Sequence, residues 1–318
     1  EALGFGVVSG NYNVGLGFRA GRSITSGEYN VFIGGDAGYS TNVGGSNIAI
    51  GLNSLFNNGD GSNNTAVGQQ TLKNLDPASA IATDNTAIGN VAGFAITTGV
   101  RNTIVGSAAG DGFTEGDFNV AVGYAALSSV RAGNQSTAVG YAALNAQSHG
   151  SNAGTDFNNT AIGFEAGASV TTGVQNTVIG SKAGDAIISG SSNTFVGYQA
   201  GSALTVGSSN VSIGKAALAS SVDGSNNTAI GHLALNVYEG GAGEGSNTAV
   251  GKHAGVAVNT GQNNTLLGVN AGDALTAGDN NIIIGKDAAA SAVGVDNTTV
   301  VGTTTTVDAL VHGLRKPV

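Results

Sequence analysis

Asn176-Thr177-Val178-Ile179-Gly180-Ser181-Lys182-Ala183-Gly184 is followed, seventeen residues on, by Asn193-Thr194-Phe195-Val196-Gly197-Tyr198-Gln199-Ala200-Gly201. Extended in both directions, the motif Asn-Thr-x-(Val/Ile)-Gly closes on Gly17, Gly34, Gly51, Gly68, Gly89, Gly106, Gly123, Gly140, Gly163, Gly180, Gly197, Gly214, Gly231, Gly251, Gly268, Gly285 and Gly302, seventeen copies in all. Thirteen of the sixteen spacings are 17 residues; the exceptions are 21 (Gly68 to Gly89), 23 (Gly140 to Gly163) and 20 (Gly231 to Gly251). A fixed period with a few longer steps marks stacked coils carrying loop insertions. The fold class read from it is all-β: an elongated β-solenoid, or β-roll, of about 17 coils with essentially no helix. At a rise of roughly 4.8 Å per coil such a stack is expected to reach about 80 Å.

Each column of the repeat has a physical reading. The residue before the anchor Gly is Val, Ile or Leu in every copy, and two positions earlier stands Thr, Val or Ile. Strand side chains alternate, so these two columns share a face. The column between them, with Ala49, Ala66, Phe32, Ile104, Phe195 and Leu266, is also mainly apolar. A strand apolar on both faces is expected to be buried on both. The opening Asn, replaced only by Ser136 and Thr298, suits a stacked Asn ladder. Three residues before it lies a frequent Gly (Gly27, Gly99, Gly173, Gly207), expected to hold a corner at positive φ. The Ala three residues after the anchor Gly, such as Ala200, is expected inside the coil. Segments such as Tyr124-Ala125-Ala126-Leu127 are too short, and too soon followed by breakers, to make a helix.

The fourth residue after the anchor Gly alternates between Gly and paired Leu: Leu55 and Leu72, Leu127 and Leu144, Leu218 and Leu235. Every long coil follows the second Leu of a pair, so the Leu are expected to fill a wider corner there. The repeat spans residues 1–302, with inserts near 73–84, 145–158 and 236–246, and residues 303–318 read as an exit strand toward a further module. Loops carry function more often than the elements they join. Asp76, Asn145, His149, Tyr238 and Glu239, in or beside the inserts, are therefore the candidate receptor contacts.

Composition narrows the chemistry. The 318 residues include 54 Gly and no Cys, Met or Trp, yet 41% are hydrophobic, too apolar for a disordered Gly-rich chain. A formal net charge of -9 with dispersed Lys and Arg argues against nucleic acid. No uninterrupted apolar run is long enough to span a membrane. The opening Glu1-Ala2-Leu3-Gly4 reads like the middle of a repeat, as in a fragment or processed product. Gly15-Leu16-Gly17-Phe18-Arg19-Ala20-Gly21 has the wrong spacing for a phosphate loop and is explained by the repeat. His232 and His253 fall on successive coils at neighbouring register positions and are expected to point apart, so no shared metal is assigned. No cofactor and no catalytic constellation is assigned. Tyr124, Tyr141, Tyr198, Phe18 and Phe164, just after the anchor Gly, suit a subunit rim or stacking on sugar rings.

A solenoid has one interior, so a strand with two apolar faces calls for a second cover, and copies of the same chain about a three-fold axis supply one. Stretches such as Asn47-Ile48-Ala49-Ile50-Gly51 and Asn227-Thr228-Ala229-Ile230-Gly231 resemble the repeats of the heads of trimeric autotransporter adhesins, whose period is shorter. The longer unit, ending in Gly-Tyr-x-Ala-(Gly/Leu), is similar to the shafts of phage tail fibres, where the next module can be a trimerising chaperone domain, sometimes self-cleaved. The resemblance implies a non-enzymatic, extracellular, homotrimeric fibre, on a virion or a bacterial surface, that attaches to a host or cell-surface receptor, a glycan among the options. The alternative is an ice-binding solenoid domain of an extracellular adhesin, suggested by the Thr column at Thr65, Thr86, Thr103 and Thr137. Against it, that column is expected to face inward.

Overall fold

The computed structural model describes residues 9–129, 132–148, 154–240 and 245–303. The chain forms two compact units, Glu1–Gly190 and Ser191–Val318. In the first, the strands are β1 (Val14–Leu16), β2 (Val31–Ile33), β3 (Ile48–Ile50), β4 (Thr65–Val67), β5 (Thr86–Ile88), β6 (Thr103–Val105), β7 (Val120–Val122), β8 (Gly133–Asn134), β9 (Thr137–Val139), β10 (Thr155–Asp156), β11 (Thr160–Ile162) and β12 (Thr177–Ile179). In the second they are β13 (Thr194–Val196), β14 (Val211–Ile213), β15 (Thr228–Ile230), β16 (Thr248–Val250), β17 (Thr265–Leu267), β18 (Ile282–Ile284) and β19 (Thr299–Val301). Both units are parallel β-solenoids, with no helix among the described residues.

Pairing is motif on motif. Thr65, Ala66 and Val67 oppose Thr86, Ala87 and Ile88, and Thr228, Ala229 and Ile230 oppose Thr248, Ala249 and Val250. Both of these pairs span a lengthened coil, so the inserts bulge out without shifting register. A one-residue slip would exchange the two faces of every strand. Beside the longest insert, β8 and β10 form a parallel pair of their own.

Each strand of the repeat motif stops after three residues because of the anchor Gly. Gly34 and Gly197 have φ of 129° and 138°. A Cβ there would lie 2.7 and 2.6 Å from the next coil's Gly carbonyl oxygen, so only Gly fits. The chain then turns through left-handed residues two and four positions on: Asp36 (57°) and Gly38 (60°), then Asn53 (56°) and Leu55 (53°). A third left-handed residue precedes each ladder Asn, as at Tyr29 (60°) and Arg101 (57°). This corrects the expectation for the corner glycines. Gly27, Gly99, Gly173 and Gly207 are not left-handed; the positive φ sits two residues later. What excludes a side chain there is proximity, since a Cβ on Gly99 would stand 2.5 Å from the carbonyl oxygen of Gly116.

Those corner carbonyls have a second role. Asn47 Nδ2 donates to Gly61 O at 2.9 Å, while its backbone N donates to Asn30 Oδ1 at 2.9 Å. Asn64 N in turn donates to Asn47 Oδ1 at 3.0 Å. Repeated coil after coil in both units, this satisfies a buried amide column that would be costly unpaired. Ser136 is too short for the role. Gln147 is buried and replaces the missing amide, its Nε2 donating to Ser136 Oγ at 2.9 Å and its Oε1 accepting from Asn159 Nδ2 at 3.0 Å.

The interior is built from four columns: the middle strand residue, the Ala three after the anchor Gly, the residue four after it, and the residue seven after it. The second and fourth columns are buried in both units, at Ala20, Ile24, Phe113, Val170, Leu204 and Leu275 among others. The middle residue and the fourth one share a fixed volume. Leu55, Leu72, Leu127, Leu144, Leu218 and Leu235 accompany Ala49, Ala66, Ala121, Ala138, Ser212 and Ala229. Where the strand instead carries Phe32 or Phe195, the partner is Gly38 or Gly201, and a Cβ on either would be 2.5 Å from the ring. The second Leu of each pair also reaches forward: Leu72 Cδ2 would be 2.8 Å from a Cβ on Gly93, and Leu235 Cδ2 3.0 Å from one on Gly255. The paired Leu thus fill the coil interior rather than a space specific to the inserts.

Candidate functional site

The middle column of the strands faces inward, so the Thr column and the Val/Ile column face outward together. Ala49, Ala66, Ile104 and Phe195 are fully buried, whereas Ile50, Ile88, Ile162 and Leu267 are 36%, 42%, 40% and 46% exposed. The expected double burial is therefore met on one face only within the chain. The inward Thr column is corrected as well: Thr103, Thr248 and Thr265 are exposed, and Thr65, Thr86 and Thr137 half-buried. The middle column takes the interior even where its residue is as bulky as Phe32, Phe195 or Ile283, and the two flanking columns are left on the outer face. In each unit this leaves a flat parallel sheet face of Thr, Val, Ile and Leu.

Beside that face, the residue after each anchor Gly forms an exposed column. Tyr124 and Tyr141 stack with centroids 5.4 Å apart, and Tyr141 and Phe164 at 5.1 Å. Tyr141 therefore has both ring faces occupied by its neighbours, leaving edges rather than faces for a sugar. Arg19 lies over Phe18 at 4.8 Å while holding Asp36 through two bonds of 2.7 and 2.8 Å. Arg19 also lies 4.9 Å from the Tyr39 centroid, in a neighbouring column where Tyr39 and Phe56 stack at 4.8 Å and Lys73 sits 5.5 Å from the Phe94 centroid.

In the second unit the same column turns basic: Tyr198, Lys215, His232, Lys252, Val269, Lys286. Backbone bonds hold it in register, from Leu233 N to Lys215 O at 3.1 Å, His253 N to His232 O at 2.9 Å and Asn270 N to Lys252 O at 2.9 Å. The rings of His232 and His253 are 5.5 Å apart, which corrects the expectation that they point away from each other. Strand alternation does not apply to them, because His253 is a left-handed turn residue at φ 58°. Desolvation, then the charges of His253, Lys215 and Lys252, lower the His232 pKa below the ordinary histidine value.

Within the first unit Asp76 and Asn145 do not share a site. Asp76 is exposed and Asn145 half-buried, four coils apart in the first unit, roughly 19 Å at the usual strand spacing. Asn145 Nδ2 is engaged, donating to Ser128 Oγ at 2.8 Å and Ala125 O at 3.2 Å. Glu239 is exposed. Tyr238 is fully buried and is withdrawn as a contact: it occupies the interior column seven residues after the anchor Gly, like Ile24 and Leu204. Counting that column in the sequence would have placed it, and Gln147, inside. His149 lies outside the described residues.

Among the described residues no three His, Cys, Asp or Glu side chains converge on a metal-sized site. Among the described residues no helix is long and apolar enough to cross a membrane. A hollow of about 380 Å³ beside β19 is lined by Asp287, Ala289 and residues 299–303. Its carboxylate is already engaged, by Asn270 at 2.7 Å and Lys286 at 3.4 Å, which hold its pKa below the usual value. No protein-family model, no curated protein and no solved structure matches the chain.

Proposed function

We propose that this chain is part of a non-enzymatic, homotrimeric surface fibre that attaches to a host or cell surface, outside the cell or on a virion. The observation that carries the reading is the outward strand face, apolar in nearly every coil and uncovered in the single chain. Exposed continuous apolar strips of this kind mark association surfaces. A second copy is the fitting cover because it has the same period, so each coil meets an equivalent coil. Cyclic symmetry about an axis along the stack keeps all copies parallel and leaves no edge open to endless growth. Light scattering on the purified chain is expected to give three times the chain mass. Ile88→Lys with Val105→Lys is expected to yield a monomer with unchanged circular dichroism. A wild-type monomer at micromolar concentration would sink the trimer.

The outward Thr column favours one second reading, an ice-binding solenoid domain. Regular rows of Thr and Val on a flat sheet offer methyl and hydroxyl groups at a fixed spacing. Both readings need the same face, so they compete. Thermal hysteresis by a monomer, abolished by the Ile88→Lys/Val105→Lys pair, would select ice binding over the fibre.

A further inference from the structure

The described part of the second unit contains three Lys, two His and no Arg, and all five cluster on one edge of the coil. Lys215, His232, Lys252 and Lys286 share the column after the anchor Gly, and His253 is next to it. Lys215 and Lys252 are exposed and make no ion pair within 4.0 Å among the described residues; Lys286 meets Asp287 at 3.4 Å. Stacking like charges along a column is unfavourable, yet Asp287 is the acid that meets it, through Lys286, and other acids of this unit lie elsewhere. Asp279 and Asp296, for example, accept backbone N–H groups of Gln262 and Asp279 at 2.8 Å on a corner column.

We propose that this edge binds an acidic polysaccharide laid along the stack of coils. Lys215, Lys252 and Lys286 recur on every second coil, roughly 10 Å apart at the usual strand spacing. A polymer with one carboxylate on every second sugar presents charge at a comparable interval. Duplex DNA carries a charge about every 1.7 Å, far denser than this column matches, and the chain's net charge of -9 repels it. Between the lysines, His232 and His253 offer ring N–H donors to hydroxyl or carboxylate oxygens, and Asn270 is at hand one coil on. Tyr198, 49% exposed with Lys215 6.0 Å from its centroid, closes one end of the strip with an aromatic surface. The site gives the attachment reading a ligand class, but it does not depend on the trimer.

The test is titration of the full chain at low salt with hyaluronate, which has a carboxylate on every second sugar, and with neutral dextran. Hyaluronate is expected to bind and dextran not. Lys215→Gln with Lys252→Gln is expected to weaken binding at least about tenfold, as loss of two close charge contacts would. Lys73→Gln with Lys182→Gln, the same change in net charge on the first unit, is expected to change it less than about twofold. Lys215→Arg with Lys252→Arg is expected to retain it. The proposal is overturned by no hyaluronate binding, by equal loss in both Gln pairs, by dextran binding as well, or by duplex DNA displacing hyaluronate at equal charge. A wild-type monomer that still binds would refute the trimer and leave this site standing.

Discussion

Phe195 and Gly201 show how single residues set this fold. The ring and the missing side chain occupy one volume that in other coils is divided between Ala or Ser and Leu. Gly201→Leu alone is expected to be severely destabilising through overpacking, and Phe195→Ala alone to cost about 3–5 kcal/mol through the cavity it leaves. The double variant recreates the Ala229–Leu235 arrangement and is expected to recover most of the loss in a denaturant-unfolding cycle. Additive losses would refute the shared-volume account. The Leu in this position carries its own cost, since Leu235 has φ 47° and a non-Gly residue there is strained. Gln147 gives a second residue-scale expectation. Gln147→Ala removes the only amide spanning Ser136 and Asn159, and should cost about 1–3 kcal/mol by leaving buried polar groups unpaired. Gln147 is legible only after the interior columns are known, because in sequence it opens an insert.

At the scale of the element, the three-residue strand has an inside and an outside set by curvature rather than by hydropathy. Thr-Ala-Val and Thr-Phe-Val both put the middle residue inward, although in the first the flanking side chains are the larger. The column after the strand is equally an element, held in register by its backbone bonds. Its histidines make the polysaccharide site pH-sensitive. Protonating His232 adds positive charge, so affinity for the polyanion is expected to rise as pH falls. The rise should come below the ordinary histidine range, because the His232 ring is desolvated and faces His253, Lys215 and Lys252. Titrations from about pH 8 down to about pH 5 would check this, with His232→Gln/His253→Gln expected to be flat.

For the whole molecule, stability should depend on pH in an unusual direction at two carboxylates. Burial raises the pKa of Asp111 and of Asp185, and Asp185 Oδ1 is buried without a hydrogen-bond partner. Above the unfolded pKa the folded state then holds more protons than the unfolded one, so stability falls as pH rises through the folded value. Asp111→Asn with Asp185→Asn is expected to raise the melting temperature at neutral pH and to flatten its decline above about pH 4. Melting curves in a pH series would show it; a lower melting temperature for the variant would refute the assignment. Neither the desolvation nor the direction is visible in sequence, where both residues stand at an outer turn position beside Gly.

The seventeen-residue period, the strand positions, the Asn ladder and the all-β class were determined by the sequence alone, because a solenoid's contacts are between equivalent residues and so repeat in the text. The Ala column was legible as interior, but which face of the strand is inside was decided only in three dimensions. Alternation says which side chains share a face, but only the closing of the coil says which face is inside. That decision turned the Thr column outward, and the left-handed turn at His253, equally invisible to strand alternation, brought its ring beside His232.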